Sequence, residues 1–433
     1  MINFKKISLS GKIFIGLFSG FIFGFLLVSI SETSEMISLF IQSTVIGTFE
    51  VIKTLFVNSL KMVVVPLVLV SLICGTCSLS DPKKLGPLAG KSLALYLITT
   101  ATAISLALAF ASFFEPGSGI SADKIADAAK DYIPKIAPPL SEVFGGLVPS
   151  NPFKALSGGN MLQVIVFAIL FGIAISRSGE KGQKIAVFFE SMNEVILRLV
   201  TIIMNIAPYG VFCIMSNLVY TTGFDAITHL ATYFLLVAVT LIIHLLLTYP
   251  TLLILFSGLN PIILITKLRP ALLFAFSTAS SAATLPVTME VSRKRLGIGK
   301  TTASFTLPMG ATINMDGTAI MQGVATIFIA QLSGVDLSST QYLTIILMAT
   351  LASIGTAAVP SVGLVTLTMV LTQVNLPTEA IAMLLGVDRV LDMMRTAVNV
   401  TGDVTVATIV AKSENDLCLE TYNRSDAGLS FEK

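Results

Sequence analysis

Residues 388–403 read DRVLDMMRTAVNVTGD and lie inside a long apolar segment near the C-terminus. On a helix that turns about 100° per residue, five polar residues of this stretch fall within roughly 80° of arc. They are Asp388, Asp392, Arg395, Asn399 and Asp403, with Thr396 at the edge of the same face. Ionisable groups at bilayer depth cost at least about 2.5–3.5 kcal/mol on insertion scales and usually turn inward to line a site.

Asp392 and Arg395 carry opposite charges one turn apart. A guanidinium pairs with a carboxylate and a carboxylate pairs with an ammonium, so the two side chains together match a zwitterion. If only this one pair were present, a structural ion pair that holds helices together would be the alternative to a binding site. Three carboxylates, one arginine and one amide on one face favour a binding site.

The composition indicates a polytopic membrane protein. Of 433 residues, 54% are hydrophobic and 12% are charged, and the mean hydropathy is +0.88. Soluble domains carry about 25% charged residues, and several apolar runs here reach the ~18 residues that indicate a spanning helix. The net charge of +2 and the lack of a basic stripe interleaved with aromatic residues predict no nucleic-acid partner.

Hydropathy predicts eight spanning helices and two interrupted segments. The spans lie near 11–31, 44–77, 86–113, 141–176, 184–220, 228–257, 299–332 and 377–411. Clusters of Lys and Arg alternate with acidic or polar loops, which places both termini, including the tail 413–433, on the cytoplasmic side. The alternation is self-consistent only if residues 260–294 enter and leave on the cytoplasmic side. Residues 338–374 must likewise enter and leave on the outer side.

Those two segments are each interrupted by small residues, Ser or Thr, and a proline. The interruptions are SSAATLP at 280–286 and SIGTAAVP at 353–360. Each predicts a re-entrant hairpin of two half-helices, since non-helical backbone at this depth is tolerated where it lines a cavity or is buried in protein. A pair of such segments points to a transporter built on inverted repeats. Two proline-kinked spanning helices are the alternative, but they contradict the charge alternation.

Residues 310–318, GATINMDGT, lie midway along the span 299–332 and indicate a locally unwound helix. Its carbonyl and side-chain oxygens suit a small hard cation, and oxygen ligands without nearby His or Cys argue against a transition metal. The candidate ligands are Asn314, Asp316 and Asp403, with further oxygens from Tyr96, Thr99 and Thr100 on the third span. Side chains of Ser and Thr that bond to their own backbone are the alternative.

As a set, SSAATLPVT, GATINMDGTA, SIGTAAVPSVG and DMMRTAVNVTGD resemble the glutamate/aspartate transporter family. This family of cation symporters includes archaeal aspartate transporters and animal excitatory amino acid transporters, and the resemblance covers nearly the whole chain. It implies an all-α, elevator-type transporter with eight spans, two re-entrant hairpins and inverted repeats. A homotrimer in the inner or plasma membrane is expected. Residues 1–77 and 141–220 would form the scaffold, and residues 86–113 and 228–412 the mobile transport domain.

The resemblance also implies the substrate contacts. Arg395 would hold the side-chain carboxylate of an acidic amino acid, and Asp392 its amino group. Further contacts would come from Thr318, Thr396 and Asn399, from Ser281 on the first hairpin, and from the backbone near Val359 and Gly363 on the second.

The co-transported ion implied by the resemblance is Na⁺, at three sites. One site would combine Asp403 with the carbonyls of Gly310, Asn314 and Asn399. A second would combine Thr312 and Met315 with the backbone of Ser353, Ile354 and Thr356. The third would be formed by Tyr96, Thr99, Thr100, Asn314 and Asp316.

The predicted function is sodium-coupled symport of aspartate or glutamate, and no enzymatic activity is expected. Proton-coupled bacterial relatives tend to carry Asn in place of Asp403, so this residue favours sodium, with proton-coupled symport as the alternative. A transporter of the same fold for dicarboxylates or neutral amino acids is the other alternative. Asp392 opposes plain dicarboxylates, and Arg395 opposes small neutral amino acids because it would stay buried without a matching charge.

Many relatives carry a further arginine where this chain has Ala279 or Met393. Arg389 is the nearest basic residue here, but it lies about 60° beyond Asp392 on the helix. The resemblance therefore does not extend to a mechanism that needs this further arginine, such as potassium counter-transport.

Other classes of function find less support. Arg395 flanked by carboxylates makes a poor pathway for an anion channel. An intramembrane hydrolase with Ser281 as nucleophile lacks a His or Lys at a definable spacing and the HExxH motif. His244, in the apolar run LIIHLLL, is predicted to form an interhelical hydrogen bond, with a proton relay as the alternative.

Overall fold

The computed structural model describes residues 9–78, 82–118, 145, 148–158, 160–222, 224–353 and 362–424. Within these ranges the ordered elements are helices, apart from one isolated β-bridge between Ile298 and Leu417, so the predicted all-α class is confirmed. The first eight helices are α1 (Leu9–Ser31), α2 (Glu35–Phe40), α3 (Gly47–Ser78), α4 (Pro82–Phe114), α5 (Pro152–Gly158), α6 (Met161–Arg177), α7 (Gly179–Asn205) and α8 (Ala207–Thr222).

The described residues of the C-terminal half form ten further helices. They are α9 (Phe224–Ile243), α10 (Tyr249–Ser257), α11 (Pro261–Thr278), α12 (Ser281–Lys294), α13 (Lys300–Ile313), α14 (Asp316–Leu332), α15 (Ser339–Ser353), α16 (Val362–Gln373), α17 (Ile381–Ser413) and α18 (Leu419–Asn423). Two π-helical turns join neighbouring helices, Ile41–Ile46 between α2 and α3 and His244–Thr248 between α9 and α10. A short 3-10 turn, Thr378–Ala380, precedes α17.

Most predicted spans match these helices within a few residues, with three differences. The second span begins at Glu35 rather than at 44, because the π turn continues the helix. The described part of the predicted fourth span consists of two helices, α5 and α6. The predicted fifth span is bent by 46° between α7 and α8. Pro208 has no N–H to donate to the preceding turn, so it is tolerated where a new helix begins.

By length and composition alone, five helices in the described ranges could cross a membrane, or six if the bent pair α7 and α8 is one span. The five are Gly11–Ser31, Glu35–Phe56, Leu88–Phe114, Thr228–Ser257 and Pro261–Thr278. The seventh predicted span does not qualify because its break leaves α13 and α14 with 14 and 17 residues. Helix α17 does not qualify either, because its charged residues make it too polar. The count of eight spans stays a prediction.

The helices pack in two groups around different centres. In the first group, α1 packs on α8, and α3 packs on α6, α7 and α8. In the second group, α17 lies at the centre and contacts α4, every helix from α9 to α14 and α16, and it also packs on α8 of the first group. Leu391, Val398 and Val404, on the apolar face of α17, are buried like its charged face. Helix α17 is therefore enclosed by protein, which allows it to carry charge at membrane depth.

The first predicted hairpin consists of α11 and α12, and its tip is shorter than the sequence suggested. Only Ala279 and Ser280 are non-helical, whereas the rest of SSAATLP forms the first turns of α12, with Pro286 inside the helix. Ala279 adopts a left-handed conformation with φ of 49°, which ends α11. The Ser280 side chain accepts a hydrogen bond from the Ala283 N–H at 3.3 Å and so caps α12. The tip predicted for the second hairpin falls in 354–361, outside the described residues.

Residues 414–424, here called the C-terminal strap, fold back over the first hairpin and the start of α13. The Asp416 carbonyl accepts a hydrogen bond from the Gly299 N–H at 2.7 Å. The Asp416 carboxylate accepts from the N–H and the hydroxyl of Thr302, at 3.1 and 2.7 Å. A carboxylate at the first turn of α13 also complements the helix dipole.

Lys267, a buried lysine of α11, joins the strap to the hairpin. Its ammonium donates to the carbonyls of Arg295, Thr421 and Tyr422 at 2.8, 2.7 and 2.7 Å. The Tyr422 hydroxyl in turn donates to the Asn260 carbonyl at 2.9 Å. The buried charge is thus compensated by one backbone carbonyl at the end of α12 and by two carbonyls of the strap.

We predict that Lys267→Met destabilises the protein, because the methionine keeps the volume and leaves these carbonyls without their donor, at a cost on the order of 2 kcal/mol or more. The thermal unfolding midpoint of the purified protein should fall by several degrees. Lys300→Met, at an exposed lysine of α13, is the matched control and should leave the midpoint nearly unchanged. Equal midpoints for the two variants would contradict this role of Lys267.

Candidate functional site

The polar face predicted for α17 is buried in the structure. Asp388, Asp392, Arg395, Asn399 and Asp403 all lie in its interior, and the Arg395 side chain is only 1% exposed. Residues spaced by four, or by seven over two turns, share one side of an α-helix. The face therefore forms a column of polar groups along the centre of the second packing group.

Four of these buried groups form a charge cluster, defined as Asp388, Arg389, Asp392 and Arg395. The Nη2 atom of Arg395 lies 2.8 Å from Asp392 Oδ1 and 2.9 Å from Asp388 Oδ1. The Nη1 atom of Arg389 lies 3.4 Å from Asp392 Oδ2. Each carboxylate therefore faces a guanidinium, as a buried charge requires. The sequence predicted the pair of Asp392 with Arg395 but not the contact of Asp388.

The guanidinium of Arg395 is only partly used. Its Nε and Nη1 atoms are buried and have no hydrogen-bond partner among the described residues. A buried donor left without a partner costs about 1–3 kcal/mol. A ligand that brings an acceptor, above all a carboxylate, would recover this cost.

The unpartnered side of Arg395 is lined by two further predicted substrate residues. A Cβ atom placed on Gly363 of α16 would lie 3.2 Å from Arg395 Nη1 and 3.2 Å from the methyl carbon of Thr318. The glycine thus permits the close approach of three helices, α14, α16 and α17. The structure therefore brings together Arg395, Thr318 and Gly363, three of the residues that the resemblance assigns to the substrate.

The other predicted substrate residues are placed as follows. The Thr396 hydroxyl donates to the Asp392 carbonyl at 2.8 Å, the bond within its own helix that was the alternative for threonines. The Asn399 side chain accepts from the Gly317 N–H at 2.8 Å. Ser281 is buried in the first turn of α12. Val359 lies outside the described residues.

The predicted break in the seventh span is confirmed, but its glycines have a different role. Only Asn314 and Met315 separate α13 from α14, and both glycines lie within helices. A Cβ atom on Gly310 would lie 2.6 Å from both Asp403 Oδ1 and the Tyr96 hydroxyl oxygen. A Cβ atom on Gly317 would lie 2.7 Å from the Arg395 carbonyl oxygen. The glycines thus allow α13 and α14 to approach α17, rather than unwinding the helix.

Asn314 joins this break to α17 at the first predicted sodium site. Its Nδ2 atom donates to the Asn399 carbonyl at 3.0 Å and to Asp403 Oδ1 at 2.9 Å. Its N–H donates to the Gly310 carbonyl at 2.8 Å. The four residues of this predicted site therefore lie together, and the Asp403 carboxylate and the carbonyls of Gly310 and Asn399 offer the oxygen ligands that a hard cation prefers.

Of the residues of the third predicted sodium site, Asp316 is fully buried, and the others are placed as follows. The Thr100 hydroxyl donates to Asp316 Oδ1 at 2.6 Å. The Thr99 hydroxyl donates to the Tyr96 carbonyl of its own helix at 2.9 Å, which was the alternative for this residue, and also lies 3.4 Å from Asn314 Oδ1. The Tyr96 hydroxyl donates to the Thr306 carbonyl at 3.0 Å and lies beside Gly310. Helix α4 thus brings its three predicted oxygens to the break between α13 and α14.

The second predicted sodium site is not seen assembled. The Thr312 hydroxyl donates to the Met309 carbonyl at 2.9 Å, and the Ser353 hydroxyl to the Thr350 carbonyl at 2.7 Å, both within their own helices. Met315 is buried, and its sulfur accepts from Asn399 Nδ2 at 3.4 Å. Ile354 and Thr356 lie outside the described residues. This site stays a prediction.

Two residues of the sixth span also reach Asp316. The Tyr249 hydroxyl donates to Asp316 Oδ2 at 2.8 Å, and His244 Nε2 lies 3.4 Å from the same oxygen. The interhelical contact predicted for His244 is confirmed, whereas Tyr249 was missed. In a π turn the hydrogen bonds run from i to i+5, so residues 244 and 249 lie on one side, with ring centroids 4.7 Å apart. A regular α-helix would separate them by about 140°.

Comparison with known proteins identifies the family. The sequence model of the Sodium:dicarboxylate symporter family matches residues 9–413. A proton/sodium-glutamate symport protein of Bacillus caldotenax is 35% identical over 95% of both chains. Excitatory amino acid transporter 2 of Mus musculus is 35% identical over 88% of this chain and 76% of its own. A proton/glutamate-aspartate symporter of Escherichia coli (strain K12) is 32% identical over 95% of this chain and 94% of its own. The chain therefore belongs to the sodium:dicarboxylate symporter family.

Proposed function

We propose that this protein is a sodium-coupled symporter of acidic amino acids, aspartate or glutamate. The observation that carries the proposal is the guanidinium of Arg395, which is buried among carboxylates with Nε and Nη1 unpartnered in the described part of the chain. The names of the relatives, which include glutamate and glutamate-aspartate symporters and excitatory amino acid transporters, agree with this substrate class.

The substrate would bind at the charge cluster. Its side-chain carboxylate would accept from Arg395, because a charge-assisted hydrogen bond satisfies the buried donors. Its ammonium would pair with Asp392. Thr318 and the backbone at Gly363 lie against the same side of Arg395 and would complete the contacts, with Thr396, Asn399, Ser281 and Val359.

Sodium would bind next to the substrate. Asp403, Asn314 and the carbonyls of Gly310 and Asn399 offer one site, and Asp316 with the hydroxyls of α4 offers another. The observed bonds among these groups support both assignments. The second predicted sodium site, with Thr312, Met315 and the backbone of 353–356, is proposed on the resemblance alone.

Two alternatives use the same site. Proton-coupled symport is named in two of the three relatives described above, with sodium in the Bacillus caldotenax protein and without it in the Escherichia coli protein, whereas Asp403 favours sodium. Transport of dicarboxylates or neutral amino acids finds less support. A dicarboxylate would bring a second anion next to Asp392, and a neutral amino acid would leave the buried Arg395 without a matching charge. The family is one of transporters, and no enzymatic step is proposed.

We further propose the architecture implied by the family resemblance. The chain would have eight spans and two re-entrant hairpins, with both termini in the cytoplasm, and would assemble as a homotrimer. Residues 1–77 and 141–220 would form the scaffold, and 86–113 with 228–412 the transport domain that moves as an elevator. The two packing groups support this division, because α4 packs with the helices of the C-terminal half rather than with its neighbours in sequence.

We predict that Arg395→Ala abolishes uptake of aspartate and glutamate in proteoliposomes, because the substrate carboxylate loses its partner. The measurement is sodium-driven uptake of radiolabelled amino acid. Arg269→Ala, at an exposed arginine of α11, is the matched control and should retain uptake. Thermal unfolding of each purified variant shows whether the fold is kept. Unchanged aspartate uptake by folded Arg395→Ala protein would contradict the substrate assignment.

We also predict that Asp403→Asn lowers the apparent affinity for sodium, because the substitution removes a negative charge from the proposed buried cation site. The sodium concentration for half-maximal uptake should rise by about tenfold or more, which corresponds to at least about 1.4 kcal/mol. Asp336→Asn, at an exposed aspartate, should leave this concentration unchanged. Equal uptake by the parent protein in choline with an imposed proton gradient would exclude the sodium proposal.

A further inference from the structure

Arg389 has no part in the substrate contacts proposed above, yet it belongs to the charge cluster. Its side chain is 9% exposed, and its Nη1 atom lies 3.4 Å from Asp392 Oδ2. The angular offset of about 60° from Asp392 does not separate the two, because residues three apart are neighbours on a helix. Arg389 thus faces the carboxylate that is proposed to hold the substrate ammonium.

The charges of the cluster sum to zero only when Arg389 is included. Asp388 and Asp392 contribute two negative charges, and Arg389 and Arg395 contribute two positive charges. Without Arg389 the remaining three groups would carry a net charge of −1. A substrate that is itself an anion would then enter a buried cluster of the same sign, where repulsion is weakly screened.

The two oxygens of the Asp392 carboxylate make contacts of different length with the two arginines. Its Oδ1 atom is held tightly by Arg395 at 2.8 Å, whereas the contact of Oδ2 with Arg389 is longer, at 3.4 Å. Hydrogen bonds weaken as the distance grows beyond about 3.2 Å. Arg389 therefore contributes its charge next to Asp392 through a longer and weaker contact than Arg395 makes.

We propose that Arg389 is a specificity-determining residue, whose charge makes the cluster neutral and so favours an amino acid with a net charge of −1 over a neutral one. The inference rests on the proposed function and deepens it. It assigns the preference between these two ligand classes to a residue outside the substrate contacts.

The test compares two ligands of nearly equal size that differ by one charge, L-aspartate and L-asparagine. Their dissociation constants are measured in saturating sodium for the purified parent and for Arg389→Gln, Arg389→Lys, Asp388→Asn and the double variant Asp388→Asn/Arg389→Gln. The readout is the ratio of the two affinities, because general damage to the fold weakens both ligands and leaves this ratio unchanged.

Arg389→Gln should lower the preference for aspartate by about tenfold or more, since the cluster becomes negative. Asp388→Asn should raise the preference, since the cluster becomes positive. The double variant restores neutrality and should return to within about threefold of the parent, as should Arg389→Lys, which keeps the charge.

An unchanged ratio in folded Arg389→Gln protein would overturn the inference, as would a double variant that fails to restore it. If Arg389→Gln does not fold, the affinity ratio of Asp388→Asn is the deciding measurement. An unchanged or lowered preference of that variant for aspartate contradicts the role of the cluster charge. Absence of sodium-dependent aspartate binding to the parent would overturn the proposed function, and this inference with it. If the parent binds aspartate but the variants keep the parent's ratio of aspartate to asparagine affinity, only this inference is overturned and the proposed function stands.

Discussion

The burial of Arg395 is the constraint on which the rest of the site depends. A guanidinium at membrane depth is tolerated only when protein surrounds it and opposite charges pair with it. The structure meets both conditions, because α17 is enclosed by its neighbours and two aspartates share the Nη2 atom. Only the Nη2 atom is paired in this way, and the Nε and Nη1 atoms of Arg395 have no hydrogen-bond partner among the described residues. The site is therefore built around a charge that a ligand can complete.

Three residues of the proposed substrate and cation sites lie on one helix. Arg395, Asn399 and Asp403 are spaced by four and lie one above another on α17. Between them, Asn399 binds the break of the seventh span twice, through its side chain to the Gly317 N–H and through its carbonyl to Asn314. A cation bound at the proposed site that moves Asn314 or Asp403 would therefore act on the helix that also carries Arg395. This arrangement gives a physical basis for coupled binding, in which each ligand changes the affinity of the protein for the other.

The sequence predicted those features that depend on helical period and on small residues. The polar face of α17 followed from its angular spacing, and the break at Asn314 followed from polar residues inside an apolar run. Other contacts depend on geometry that a regular helix does not have. His244 and Tyr249 meet on Asp316 only because a π turn shifts the period from 3.6 residues. The reach of Arg389 to Asp392 depends on a long side chain, which angular spacing alone does not describe.

The strap has a consequence for the order in which the molecule is made. Lys267 and its acceptor Tyr422 are 155 residues apart in the chain. At about 5–20 residues per second, a ribosome needs roughly 8 to 30 s to synthesise that stretch. During this interval the ammonium of Lys267 lacks two of its carbonyl partners, and the first hairpin cannot reach its final packing. Completion of this half of the protein is thus a late event of biosynthesis, and a nascent chain stopped before residue 421 would leave it unfinished.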